Sequence, residues 1–309
     1  MFFFDARFHE NMTMSSLACI VLLAALALPV PRAVWLLLAL AVLSYAAFVA
    51  LPVPAAPAAE WMHGRVRGIR ATQTRRIPKI VFQTYDRLEF VPAKVHANVA
   101  EFAAGYKHVV LDDEACRQFL ARHYAPEIVA RFASIRGGAH KADLLRYCLL
   151  YVHGGVYLDI KTELTRPIDA LFDDDRASLY VVRDIAVFWR IGGRAVYNGV
   201  IASVPRDPLF LRLIAGIMRM SDWLLAVDYS RVVREFGATL ADEVGALVPG
   251  GTTRPGGSRV YAFEARCVDV DTCRDGPDRY GLCVHIFDGD EPVIKVRHAD
   301  FLRWRHVAP

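Results

Sequence analysis

The sequence predicts an α/β domain with a mainly parallel sheet, set behind an N-terminal transmembrane segment. Three observations predict it. Apolar, β-branched runs alternate with helical periods through the first half of the chain, the pattern of strand–helix units. A helix–Gly-Gly–strand unit, Gly138 to Glu163, carries charged groups at the strand's C-terminal end, where α/β sheets bind ligands. An uncharged run from Ala33 to Val53 is long enough to cross hydrocarbon as a helix.

The 309 residues leave room for one sizeable domain and an appendage. The hydrophobic fraction, 54%, is high for a soluble protein, and the excess lies at the N-terminus. The break in composition divides the chain into an anchor with its linker, residues 1–60, and a globular domain, residues 61–309. A net charge of +4, with no basic stripe among aromatics, argues against a nucleic-acid partner. No C-x-x-C pair occurs among the six cysteines, which argues against structural zinc. Cys267, Cys273 and Cys283 cluster late in the chain; a disulfide and buried free thiols both remain open for them.

Leu17 to Val30 is apolar but short, and Pro29, Pro31 and Arg32 part it from the longer run. A helical hairpin and a single span with an interfacial segment both match this layout. The N-terminal tail lacks the net positive charge of a cleaved signal peptide. Leu51 to Ala59, rich in Pro and Ala, reads as a linker. Arg65, Arg67 and Arg70 follow closely, and the positive-inside rule then puts the large domain in the cytosol.

Within the central unit, Leu145, Cys148, Leu149 and Val152 recur at helical spacing, so one side of a helix from about Ala139 to Val152 is apolar. Asp143, Arg146, Tyr147 and Leu150 fall on the opposite side, with Asp143 and Arg146 as neighbours. Gly154-Gly155 stops the helix. Val156 to Ile160 reads as a buried strand. Extended geometry projects Asp159, Lys161 and Glu163 to one face.

Ala139, Lys141, Ala142, Asp143, Arg146, Tyr147, Leu150, Tyr151, Gly154, Gly155, Tyr157 and Asp159 resemble the signature of DXD-containing glycosyltransferases of the family-32 type, typified by yeast Golgi mannosyltransferases. The signature departs at one position, where Lys161 stands in place of the second aspartate. Ile77 to Tyr85 resembles the same family's opening strand, with Phe82 and Tyr85 as departures. The resemblance covers Ile77 to Leu213 well and narrows the fold to GT-A, a Rossmann-like glycosyltransferase domain.

The resemblance implies roles. Asp143 and Arg146 would hydrogen-bond the donor sugar, and Asp159 would hold ribose or a metal-bound water. Gln83 and Thr84 would lie near the nucleotide base, and Asn198 and Gly199 would line the acceptor side. His298 is the polar residue of the closing segment that would reach the diphosphate. A divalent cation, manganese or magnesium, would bridge diphosphate and carboxylates, with Asp159 and Glu163 as its ligands. The Lys161 ammonium repels such a cation and attracts a diphosphate, so metal dependence is expected to be weakened.

The remaining elements follow from pattern. Ala93 to Ala104, Pro126 to Phe132, Leu209 to Met220 and Trp223 to Phe236 read as helices. Lys107 to Leu111, Leu179 to Val182, Ile185 to Trp189, Arg259 to Ala265, Leu282 to Phe287 and Val293 to Val296 read as strands. Asp112-Asp113-Glu114 reads as a helix cap, Asp173-Asp174-Asp175 as a solvated turn, and Asp288-Gly289 as part of a hairpin turn. Pro249 to Ser258, with four glycines, reads as a lid or a loose loop.

The resemblance implies transfer of a hexose, mannose or glucose, from a nucleotide sugar with retention of configuration. The acceptor, whether glycan, lipid or protein, is open, as is the side of the membrane: the resemblance favours a Golgi or ER lumen, the arginines the cytosol. Two other classes stand beside this one: a degenerate member that binds sugar or nucleotide without transfer, and a membrane adaptor.

Overall fold

The computed structural model describes residues 58–67, 76–184, 196–227, 231–267 and 284–296, with positions 34, 36, 37, 39, 40 and 43. Most of the two apolar N-terminal runs, Ile185 to Trp189, and His298 lie outside the described residues. Among the described residues, no helix is long and apolar enough to cross a membrane.

The first half of the domain alternates as expected. Helix α1 (Ala58–His63) precedes β1 (Ile80–Thr84), α2 (Ala93–Phe102), β2 (Lys107–Leu111), α3 (Asp113–His123) and α4 (Pro126–Ser134). Then come α5 (Gly138–His153), β3 (Gly155–Leu158), β4 (Thr162–Leu164) and α6 (Ile168–Leu171). The second half runs β5 (Ala177–Asp184), β6 (Val196–Ser203), α7 (Pro208–Arg219), α8 (Asp222–Val227) and α9 (Arg231–Val244). It closes with β7 (Thr252–Thr253), β8 (Arg259–Cys267), β9 (Val284–Asp288) and β10 (Glu291–Val296).

All these strands join one sheet, in the order β2-β1-β3-β6-β5-β8-β9-β10-β4, with β7 on β8. The sheet is mixed, which corrects the expected mainly parallel one. Only the β1/β2, β1/β3 and β5/β8 pairings are parallel; β6 runs antiparallel to both its neighbours, and the β8–β9–β10–β4 edge is antiparallel throughout. Parallel pairing is confined to β1, β2 and β3 and to the β5/β8 pair. Elsewhere, short connections such as the β9–β10 turn suffice for antiparallel pairing.

Side chains alternate between two cores. Phe82, Tyr157, Leu179, Val181 and Ile201 face the side covered by α3, α4, α5, α7 and α9. Val81, Val156, Leu158, Tyr180, Val182, Val200 and Ala202 face the other, with α2 and α6. The period of two along each strand makes both faces apolar, as a sheet covered on both sides requires.

Helix α5 departs from expectation. Every residue from Asp143 to Tyr151 is buried, so the helix has no solvated face along this stretch. The face expected to be exposed is roofed by α7 and α9: Phe210 stacks on Tyr147 and Phe236 meets the same ring edge-on. Gly154 and Gly155 end the helix with positive φ, and a Cβ at Gly154 would lie 2.6 Å from Pro205 N. Only glycine fits this turn.

The Asp112 cap holds, its Oδ1 accepting from Ala115 N at 2.8 Å. Two loop readings are corrected. Asp174 is not merely solvated, because it pairs with Arg259. The 249–258 loop is not loose, because β7 joins β8 and Arg254 pairs with Asp207 and Glu243. Trp223 to Phe236 falls on parts of α8 and α9, with residues 228–230 outside those described. Cys116 and Cys148 are free and buried; the side chains of the late cysteine cluster lie outside the described residues.

Candidate active site

The parallel pair β1 and β3 brings Thr84 and Asp159 to the same end of the sheet, since Phe82 is level with Tyr157. Asp159 does not continue the strand. It opens a turn, Asp159 to Lys161, between β3 and β4, so the expected common strand face for Asp159, Lys161 and Glu163 does not exist. The Asp159 N–H donates to Gly199 O at 2.7 Å, and its carbonyl accepts from Thr162 N and Thr162 Oγ1. These bonds lock the turn against β6.

Helix α5 projects Asp143 and Arg146 at this turn. Arg146 Nη2 stands 3.1 Å from Asp143 Oδ1 and 3.2 Å from Asp159 Oδ1. Its Nη1 donates to the Asn198 carbonyl and its Nε to Ala142 O, and the guanidinium lies 4.6 Å over the Tyr157 ring. Arg146 is 3% exposed and Asp143 7%, which corrects the reading of both as lying off the packed face. Burial alone would disfavour the Arg146 charge; Tyr157, Asp159 and Asp143 more than offset it and hold the guanidinium charged.

Asn198 completes the ring of contacts. Its Nδ2 donates to Asp143 Oδ1 at 2.8 Å and to Tyr147 Oη at 3.2 Å. Asn198 and Gly199 are both buried and stand behind the carboxylates rather than on an open acceptor face. A Cβ at Gly199 would lie 2.4 Å from the Tyr197 ring and 2.7 Å from Asp159 Oδ2, so no larger residue fits. Gln83 is fully buried: Nε2 donates to Asp159 O at 3.4 Å, and Oε1 accepts from His108 Nε2 at 2.8 Å. Burial, with His96 nearby, lowers the His108 pKa, consistent with a neutral ring donating that bond. Thr84 is partly exposed and shares a 2.9 Å hydrogen bond with Tyr157 Oη.

Lys161 Nζ lies 3.5 Å from Asp159 Oδ2. Asp159 therefore has Arg146 on one oxygen, and Lys161 with the Tyr197 hydroxyl on the other. This arrangement fits a divalent cation poorly, because both carboxylate oxygens already face cations. Among the described residues, no group of three or more His, Cys, Asp or Glu side chains is placed to hold a metal. Glu163 sits on β4 opposite Lys295. With Lys94, Asn98, Glu101 and Lys161 it borders a cleft of about 220 Å³ beside the turn. Asn98 holds the cleft's two sides together, its amide bonding both the N–H and the carbonyl of Leu164.

Three contributors were not singled out from the sequence. Tyr157 stood in the signature without a role. Tyr197 carried no signal of its own. His140 lies three residues before Asp143, a spacing that places two helical side chains together, and its Nδ1 is 3.0 Å from Asp143 Oδ2.

Residues 93–178 match the family described as glycosyltransferase sugar-binding region containing DXD motif. The chain is 33% identical to inositol phosphoceramide mannosyltransferase 3 of Schizosaccharomyces pombe, over 50% of this chain and 40% of that protein. It is 28% identical to a mannosyl phosphorylinositol ceramide synthase of Saccharomyces cerevisiae, over 46% of this chain and 35% of that one. An initiation-specific alpha-1,6-mannosyltransferase of the same yeast is 33% identical over 27% of this chain and 18% of its own length. The chain thus spans less than half the length of each of these curated relatives. The matches support the family-32 glycosyltransferase type recognised in the Gly138–Glu163 signature.

Proposed function

We propose that this chain is a membrane-anchored, retaining glycosyltransferase that moves a hexosyl group from a nucleotide sugar to a hydroxyl acceptor. One observation carries the reading: the charge-alternating chain Asp143–Arg146–Asp159–Lys161 at the C-terminal ends of β1 and β3, buried at Asp143 and Arg146 and half-buried at Asp159 and Lys161. The sugar-binding-region match over the same residues supports it. The relatives' names support mannose as the sugar, with an inositol-bearing lipid as one candidate acceptor.

In this reading Asp143 and Arg146 orient the donor sugar, held rigid by Asn198 and Tyr147. Thr84 serves the nucleotide end, and Gln83 acts behind the site by fixing the Asp159 carbonyl. The C1–O bond to the diphosphate breaks with both electrons leaving on the phosphate. The acceptor oxygen bonds C1 on the same face, and its proton passes to the departing phosphate oxygen. Lys161 stabilises that leaving group. Preorganised charge of this kind costs no reorganisation during reaction. The family resemblance implies a divalent cation at the diphosphate; Asp159 and Glu163 are the carboxylates nearest the turn, and the cations on Asp159 argue for weak dependence on it. The acceptor would approach through the cleft beside Lys161 and Glu163.

Anchoring rests on the uncharged run Ala33 to Val53. The described apolar residues within it, Val34, Leu36, Leu37, Leu40 and Leu43, are helical and 40–66% exposed, so the globular domain does not cover them. Residues 1–60 would form the anchor and linker, and the globular domain would follow.

A second reading, a sugar- or nucleotide-binding member without transferase activity, draws on Lys161 in place of an aspartate. The test is to incubate the purified full chain in detergent with a panel of nucleotide sugars and inositol-lipid or glycan acceptors. Release of nucleoside diphosphate coupled to a glycosylated product is expected. Donor binding with no product would favour the second reading.

A further inference from the structure

His140 is 5% exposed and sits in the first turn of α5, between Asp143 and α8. Its Nδ1 is 3.0 Å from Asp143 Oδ2, and its Nε2 is 3.0 Å from the Leu225 carbonyl oxygen. The Leu225 carbonyl belongs to the last turn of α8, where helix carbonyls lack an intrahelical partner. A carbonyl only accepts, so Nε2 must carry hydrogen. Asp143 Oδ1 already accepts from Asn198 and faces Arg146. A carboxylate oxygen only accepts, so where Oδ2 meets the ring, Nδ1 must carry hydrogen too. A ring donating from both nitrogens is an imidazolium.

We propose that His140 is a positioning residue of the donor-sugar site: a doubly protonated imidazole that orients the Asp143 carboxylate through Nδ1 and clamps α8 over the site through Nε2. The proposal rests on the reading of Asp143 as a sugar ligand. With Oδ1 turned toward Asn198 and Arg146, His140 fixes the remaining oxygen. The carboxylate plane is then set by three donors, two on α5 and one on β6, before any sugar arrives. Without His140, Asp143 could rotate about its terminal torsion, which has a broad, shallow profile, and misplacement of a positioning group is costly in rate.

The two contacts can be separated by substitution. The side-chain amide of asparagine reaches about where imidazole Nδ1 stands, and that of glutamine about where Nε2 stands. His140→Asn should therefore keep the Asp143 bond and lose the α8 clamp, whereas His140→Gln should do the reverse. The expected result is a kcat loss of about 30-fold or more for His140→Ala and His140→Gln with donor KM little changed, and rescue by His140→Asn to within about threefold. Thermal stability should follow the opposite order, with His140→Gln nearer to wild type than His140→Asn. A readout independent of activity accompanies these. In the full chain labelled with 15N-histidine, one ring should show hydrogens on both nitrogens, in slow exchange with water, and that signal should vanish in His140→Asn. A His140 ring with a single N–H would overturn the proposal, as would equal kcat for the asparagine and glutamine variants. If the wild type transfers no sugar, the transferase reading fails, and the ring signal with the order of stabilities still decides whether His140 bridges Asp143 and α8.

Discussion

Arg146 and Asp159 come from different elements, a helix and a turn, and meet at 3.2 Å with the guanidinium 3% exposed. The contact makes the helix and the strand end one electrostatic unit. Removing the guanidinium would leave one buried carboxylate, Asp143, and one half-buried, Asp159, without their common cation. Arg146→Met should cost roughly 3–5 kcal/mol of folding stability and abolish transfer. Urea unfolding beside a transfer assay checks this; normal stability with lost turnover would mean that the ion pairs contribute nothing to the fold.

Lys161 faces Asp159 Oδ2 at 3.5 Å and opens on the cleft. Attraction between unit charges at 4 Å is roughly 4 kcal/mol at an effective dielectric of about 20, enough to assist a leaving diphosphate. Wild-type turnover should survive EDTA in large part. Lys161→Ala should lose at least about tenfold, and Lys161→Asp should become more dependent on added manganese. Complete EDTA inactivation of the wild type, with Lys161→Ala unaffected, would return the site to ordinary metal dependence.

Glu235 on α9 is buried against Gly216 of α7, where a Cβ would lie 1.8 Å from its Oε1. Burial pushes its carboxyl up from its ordinary value of 4.5 to about 7, despite Arg219 and Arg231. The native protein thus binds a proton that the unfolded chain releases, so stability is highest below the unfolded pKa and is lost as pH rises through the folded one. A shift of this size corresponds to about 3 kcal/mol. Chemical denaturation of the wild type should weaken between about pH 4.5 and pH 8 by this contribution, and Glu235→Gln should flatten that slope. An unchanged slope in the variant would assign the pH dependence elsewhere.

Gly199 has no space for a side chain between Tyr197 and Asp159. Gly199→Ala should displace Asp159 and reduce turnover by about 100-fold, the scale of a misplaced reacting geometry. Turnover within twofold of wild type would show that the turn relaxes freely.

Met62, in the helix α1 (Ala58–His63) that straddles residue 60, is fully buried in the main core. A fragment starting before Ala58 should be more stable than one starting at Trp61, and Met62→Ala should cost about 2–5 kcal/mol. Equal melting temperatures for the two fragments would show that the domain draws no stability from residues before Trp61.

Much of the local structure was legible. The α5 helix, its Gly154-Gly155 stop, the Asp112 cap and the strands around Val81, Val109 and Val156 all follow from period, turn chemistry and β-branching. The signature placed Asp143, Arg146 and Asp159 in one neighbourhood. Gln83, Asn198 and Gly199 were named as ligand contacts, yet they stand as buried supports. Short polar residues at strand ends read alike whether they face a ligand or brace a neighbouring carboxylate.

By itself the sequence determined the helices and strands of the β1–β3 region, where α5 must end, and which charges follow β3. These are properties of neighbouring residues. Tertiary structure alone decided that Asp143 and Arg146 are buried, because helical period reports one apolar face and cannot say that α7 and α9 will roof the other. It alone decided strand direction, since side chains alternate with the same period of two in parallel and antiparallel pairs. It also brought His140, Asn198, Tyr157 and Lys161 around two carboxylates. Contacts across 52 residues, as between Arg146 and Asn198, are set by how the elements pack, which no local pattern records.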